Sequence, residues 1–125
     1  MKAIVMNAYG GPDVLELKEV DKPEVTENDV LVGAHAASLN AGDYFSMRGS
    51  PWLARLDVGF PNPKDHILGW DVAGQVEAVG ENVTRLQPGD KVYGSCERAL
   101  AEFVCAPEGK FALAPTNLTL EQAAA

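Results

Sequence analysis

The chain has 125 residues, with 10 Lys and Arg against 18 Asp and Glu, and carries a formal charge of −8. That length allows one domain with its own core and is short for two, and 46% hydrophobic with 22% charged residues is a soluble globular composition. The cations are scattered singly, which excludes the clustered Lys and Arg that nucleic-acid or anionic-membrane surfaces need.

No apolar run approaches the roughly 18 residues that would span a bilayer. The stretch Ile4-Val5-Met6 ends at Asn7 and is too short for a signal peptide, so a cytoplasmic location is expected. Cys96 and Cys105 do not make a disulfide framework and are read as thiols in or beside strands.

In chain order, residues 2–9 are β-branched and apolar and break at Gly10-Gly11-Pro12-Asp13. Residues 14–20 alternate and read as a return strand ended by Asp21-Lys22-Pro23. Residues 29–37 carry apolar or small side chains on both faces, the pattern of a strand covered on two sides. Residues 40–49 predict a short helix with Asn40 near its start and Gly49 as its stop. Residues 50–65 hold Pro51, Gly59, Pro61 and Pro63 and predict a long loop, a feature that is often functional.

Residues 72–79 form a strand whose glycine allows close backbone approach. The Pro88-Gly89-Asp90 turn follows, with Asp90 in turn chemistry. Residues 91–93, 100–106 and 111–113 are further short strands. Thr119 is an N-cap for a helix that starts at Leu120 and has no stop signal before Ala125, so the expectation is an element that continues further.

Several chemistries lack their motifs. There is no Gly-x-Gly for a dinucleotide fold and no Gly-Lys-Ser/Thr for a P-loop. Neither His35 nor His66 has a ligand partner at zinc spacing, and there is no Gly-x-Ser-x-Gly elbow. The chain alone is not expected to bind a nicotinamide cofactor productively.

Six segments nevertheless fall in an informative order: Met1-Lys2-Ala3-Ile4-Val5, Gly10-Gly11-Pro12-Asp13-Val14-Leu15, Ser38-Leu39-Asn40-Ala41-Gly42-Asp43, Gly69-Trp70-Asp71-Val72-Ala73-Gly74, Ala101-Glu102-Phe103 and Leu120-Glu121-Gln122-Ala123. Together they resemble the N-terminal catalytic domain of the zinc-independent, quinone oxidoreductase-like branch of the medium-chain dehydrogenase/reductase superfamily. The resemblance implies a mainly β fold, a GroES-like, partly closed barrel with short helices, covering residues 1–125. It also implies a Rossmann cofactor domain that this chain does not contain. Ala41 departs from the proline usual in that segment. In zinc-dependent members the Asn40 and Trp70 positions hold Cys and His ligands, so no metal site is expected.

The implied activity is hydride transfer from NADPH to a quinone or enone, with the isolated chain inactive. Asn40 and Tyr44 are implied as catalytic, with Asn40 also near the cofactor, and Asp43, Arg48, Trp52, Trp70 and Asp71 as cleft residues. Plainer readings stand beside these. Asn40 is an N-cap, Asp43 a first-turn residue or a partner of Arg48, Tyr44 core, and Asp71 an acceptor of backbone N–H groups; Trp52 and Trp70 pack as large aromatics. The implied partners are the small substrate and the chain's own Rossmann domain, with self-association through an exposed apolar face. The alternative is a free-standing GroES-like binding or assembly module without activity.

Overall fold

The computed structural model describes residues 1–125 and is mainly β. Its strands are β1 (Lys2–Met6), β2 (Leu15–Glu19), β3 (Asp29–Ser38), β4 (His66–Ile67), β5 (Asp71–Val79), β6 (Lys91–Ser95), β7 (Phe103–Pro107) and β8 (Phe111–Leu113). Three short helices complete it: α1 (Ala41–Arg48), α2 (Arg55–Val58) and α3 (Leu120–Ala123). No helix is long and apolar enough to cross a membrane.

The strands form a three-stranded sheet ordered β2-β1-β4 and a five-stranded sheet ordered β7-β3-β5-β6-β8, with every pair antiparallel. β3 is buried on both faces in its first half, as its composition implies: Val30, Leu31 and Val32 are all buried. Val30 and Val32 join Val72, Val76, Val92, Val104 and Phe111 in the main core. Each such side chain, fully buried, contributes about 1.5–3 kcal/mol relative to exposure.

β3 and β5 pass unusually close. A Cβ placed on Gly74 would lie 2.0 Å from the Gly33 carbonyl oxygen. The pairing shifts register between Ala34 and Ala36 beside this contact. Only a hydrogen at Gly74 lets the two backbones meet there.

The segment expected as a single strand over 100–106 divides its work. Its second half is β7; its first half closes the seam between the two sheets. Ile4 N donates to Leu100 O at 2.9 Å, Glu102 N donates to Lys2 O at 3.0 Å, and Ala34 N donates to Glu102 O at 2.9 Å. An isolated bridge pairs Ala3 with Ala101. This seam gives the fold its partial closure.

The long loop over 50–65 is more ordered than its prolines suggest. It contains a 3-10 turn, Trp52–Ala54, and α2. One side chain from outside the segment and one from within it tie it down. Tyr9 donates its hydroxyl to Gly59 O at 2.6 Å, and Arg55 donates Nε–H to Gly49 O at 3.2 Å. The Arg55 guanidinium also lies 4.6 Å from the Tyr9 ring centroid. β4 is only two residues long, too short to carry a periodic signal.

α1 and α3 begin as the sequence implied. Asn40 caps α1 and Gly49 closes it, while Thr119 caps α3 in a reciprocal pair with Gln122. His35 Nε2 and Glu121 Oε1, 2.8 Å apart, tie α3 to β3. Both cysteines are free thiols. Burial raises both pKa values, that of Cys96 to about 11.

Two outcomes follow. Gly74→Ala should lower unfolding stability by about 3 kcal/mol in urea denaturation, an overpacking penalty; an unchanged midpoint would mean β3 and β5 can move apart freely. Iodoacetamide at neutral pH should alkylate Cys105 well before the buried Cys96. Mass spectrometry showing equal rates would contradict the burial difference.

Candidate functional site

Asn40 ends the link from β3 and starts α1, and its side chain is used twice. Asn40 Oδ1 accepts from Gly42 N at 2.8 Å, and Asn40 Nδ2 donates to Asp71 Oδ2 at 3.0 Å. Asp71 therefore accepts a side-chain amide rather than the backbone N–H expected of it. The reason is its place at the first residue of β5, opposite Ser38 at the end of β3, two residues before Asn40.

Asp43 turns inward. It is 3% exposed and is the only charged residue in the buried set. Asp43 Oδ2 accepts from Asn40 N at 2.9 Å, and Asp43 Oδ1 accepts from Gly69 N at 3.0 Å. Asp43 makes no ion pair with Arg48; its two oxygens each accept a backbone N–H instead. One carboxylate thus joins the start of α1 to the residue before Trp70.

Gly69 is fixed as tightly from its other side. Its φ is +103°, and a Cβ there would lie 2.6 Å from Leu100 N. Ala99 N donates to Gly69 O at 3.1 Å, Leu100 N donates to Leu68 O at 2.9 Å, and Cys96 N donates to Trp70 O at 2.7 Å. The Leu68-Gly69-Trp70 segment is thereby stitched to residues 96–100. Trp70 is 36% exposed, so its indole is a wall and not core.

Tyr44 is half exposed at 50%, so it is not core either. Its ring meets Phe45 edge-on at 5.7 Å, and the Arg48 guanidinium lies 5.4 Å from its centroid. Trp52 stands exposed on its 3-10 turn. The structure thus brings Asn40, Asp43 and Asp71 into one hydrogen-bonded unit that includes Gly69, the residue before Trp70. Tyr44 and Arg48 lie on the outer face of α1, and Trp52 belongs to the neighbouring segment.

No group of three or more His, Cys, Asp or Glu side chains is placed to hold a metal ion. Cys96, the one thiol near the Trp70 carbonyl, is buried and hard to ionise. The cleft around Trp70 also gathers residues that sequence reading passed over. Asp57, His66, Glu97 and Arg98 line it together with Ser46, Val58 and Leu68. No motif links them, since they come from α2, β4 and the turn before residue 99.

A family model described as the alcohol dehydrogenase GroES-like domain matches residues 26–116. The chain belongs to that family. Among its relatives is the chloroplastic NADPH-dependent alkenal/one oxidoreductase of Arabidopsis thaliana, 36% identical over 99% of this chain and 33% of that protein. The structure of the quinone oxidoreductase from Coxiella burnetii is 35% identical, with a TM-score of 0.90 over 99% of this chain and 40% of that one. The Escherichia coli quinone oxidoreductase complexed with NADPH is 28% identical, with a TM-score of 0.86 over 99% and 36% of the two chains. This GroES-like domain thus spans about a third of the length of the curated relatives it matches. The motif order of the six sequence segments and the mainly β fold agree with this membership.

Asp43→Ala leaves two N–H donors without a partner, one of them buried, and should cost about 3 kcal/mol by urea denaturation. Asn40→Ala, which removes a cap, should cost only about 1 kcal/mol. Equal costs would contradict the greater weight placed on Asp43.

Proposed function

We propose that this domain is the substrate half of an NADPH-dependent, zinc-free reductase acting on quinones or enones. The observation that carries the reading is the whole-chain similarity to a relative named as an NADPH-dependent alkenal/one oxidoreductase. NADPH, when bound, supplies a hydride, which for an enone adds at the β-carbon while a proton completes the product. The chain has no glycine-x-glycine strand–turn–helix of its own. The proposal therefore assigns cofactor binding mainly to a Rossmann domain outside it and makes the isolated chain inactive.

Asn40 has one amide hydrogen left once Oδ1 is bound to Gly42 and Nδ2 to Asp71. That hydrogen is the group this proposal aims at the cofactor ribose or the substrate oxygen, and preorientation by Asp71 keeps it there. Tyr44 offers an exposed hydroxyl and an aromatic wall, with Arg48 over its ring as a cation at the mouth. Asp43 positions Asn40 and Trp70 and touches no reactant. The donor set supports zinc-free chemistry: Asn40 is committed to hydrogen bonds and Trp70 has no lone pair to offer a metal. Exposed Phe45, Trp52, Leu53, Leu56 and Phe60 support an apolar face for another domain or a second copy.

In the full-length protein, NADPH should be consumed with an enone or quinone, and Asn40→Ala should lower kcat/KM by roughly a hundredfold to a thousandfold, as for one lost donor to a developing oxyanion. No NADPH consumption with either substrate class would reject the reading. Elemental analysis finding one stoichiometric zinc per chain would reject the zinc-free part alone.

A further inference from the structure

A second cleft, apart from the Asn40 hydrogen bonds, lies where the end of β6 meets the end of β7 and the 3-10 turn Glu108–Lys110. Its volume is about 360 Å³. That is within the range of small-molecule sites and well above the roughly 150 Å³ that holds a benzene ring. Trp70, Ala106 and Pro107 give it apolar walls, and the Ser95 hydroxyl and the buried Cys96 also line it. Two cations reach it, Arg98 and Lys110. The cations engaged inside the chain are Lys18, Lys22, Arg48, Arg55 and Arg85; Arg98 and Lys110 have no hydrogen-bond, ion-pair or aromatic partner.

The backbone brings these two charges together. A Cβ on Gly94 would lie 2.1 Å from the Lys110 carbonyl oxygen, so the turn carrying Lys110 is pressed against β6 beside Ser95. Arg98 has a left-handed φ of 67°, one of two non-glycine residues that do. Such a conformation is uncommon for a long side chain and clusters at ligand sites. The bonds from Cys96 N to Trp70 O and from Ala99 N to Gly69 O hold its turn against the indole wall. Burial pushes the Cys96 thiol up to about 11, and Lys110 alone opposes that rise, so its charge is felt inside the cleft.

We infer that this cleft binds a small aromatic monocarboxylate, its carboxylate held by Arg98 and Lys110 and its ring against Trp70. Glu97 is the one carboxylate lining the cleft, so two positive charges face one negative. The surplus of one matches a monoanion and disfavours a dianion. Asp71 also acts on the Cys96 thiol, but it does not line the cleft and its Oδ2 is bound to Asn40 Nδ2. Arginine offers a planar fork that meets a carboxylate with two parallel N–H bonds, and lysine a point charge. The net charge of −8 opposes an anion at long range, yet physiological salt screens it beyond about 8 Å. Binding of this kind is independent of hydride transfer and adds a second class of ligand to the domain.

The test is an amide NMR titration of the 125-residue chain with benzoate, using benzamide as the neutral isostere and hydrogen phosphate as the ringless anion. Benzoate should shift the Ser95, Cys96, Arg98 and Lys110 amides and the Trp70 indole N–H, while the exposed Trp52 indole stays in place. Benzamide and phosphate should each bind roughly tenfold more weakly, since one lacks the charge and the other the ring. Arg98→Gly, which suits the left-handed backbone, should keep the thermal midpoint and weaken benzoate binding about tenfold, the loss of one charge-assisted hydrogen bond. Lys110→Gln should weaken it severalfold, and this variant decides the matter alone if Arg98→Gly does not fold. Benzamide binding as tightly as benzoate, phosphate binding more tightly, shifts absent or centred on other amides, or unchanged affinity in the variants would each overturn the inference.

Discussion

The arrangement around the site depends on one buried carboxylate. Asp43 lies beneath the surface, where an unpaired charge would be costly, and it is tolerated because each oxygen accepts a backbone N–H. Those two donors belong to separate parts of the chain, the start of α1 and the residue before Trp70. The carboxylate therefore sets the distance between the Asn40 amide and the Trp70 wall. Hydrogen bonds from residues 96, 99 and 100 hold the far side of the same segment, so the error in placing Trp70 is small from either direction. A site built on loops thus acquires the rigidity of the sheets beside it.

The two sheets supply the frame. β3 and β5 cross at Gly33 and Gly74, and their ends deliver Asn40 and Asp71 to one another. The seam at residues 100–102 joins the smaller sheet and fixes the turn that carries Arg98. Asp43 and Asp71 hold groups in place, while Asn40, Tyr44 and the Arg98 turn face outward. The chain is similar over nearly its whole length to an oxidoreductase about three times as long.

Much of this was legible in the residues. β3, α1, β5 and β8 follow from local patterning, because alternation and capping act over a few positions. The Asn40 and Thr119 caps came with their partners three residues on, Asp43 and Gln122. What was not legible is long-range. Asp43 bonds to Gly69, 26 residues away, and no local pattern says that a first-turn aspartate will turn inward. The winding of residues 52–58 depends on Tyr9, and the seam depends on pairing across nearly the whole chain. His66 and Arg98 escaped notice because they share neither element nor motif, only a cleft.

The most direct measurement of the Asp43 account is native-state amide hydrogen exchange at Asn40 and Gly69. If the carboxylate holds both donors, the two amides exchange slowly and with the same free energy of opening, despite sitting at a helix start and in a loop. Fast exchange at Gly69, at the rate of the exposed Trp52 and Leu53, would contradict the clamp and leave Trp70 without its support.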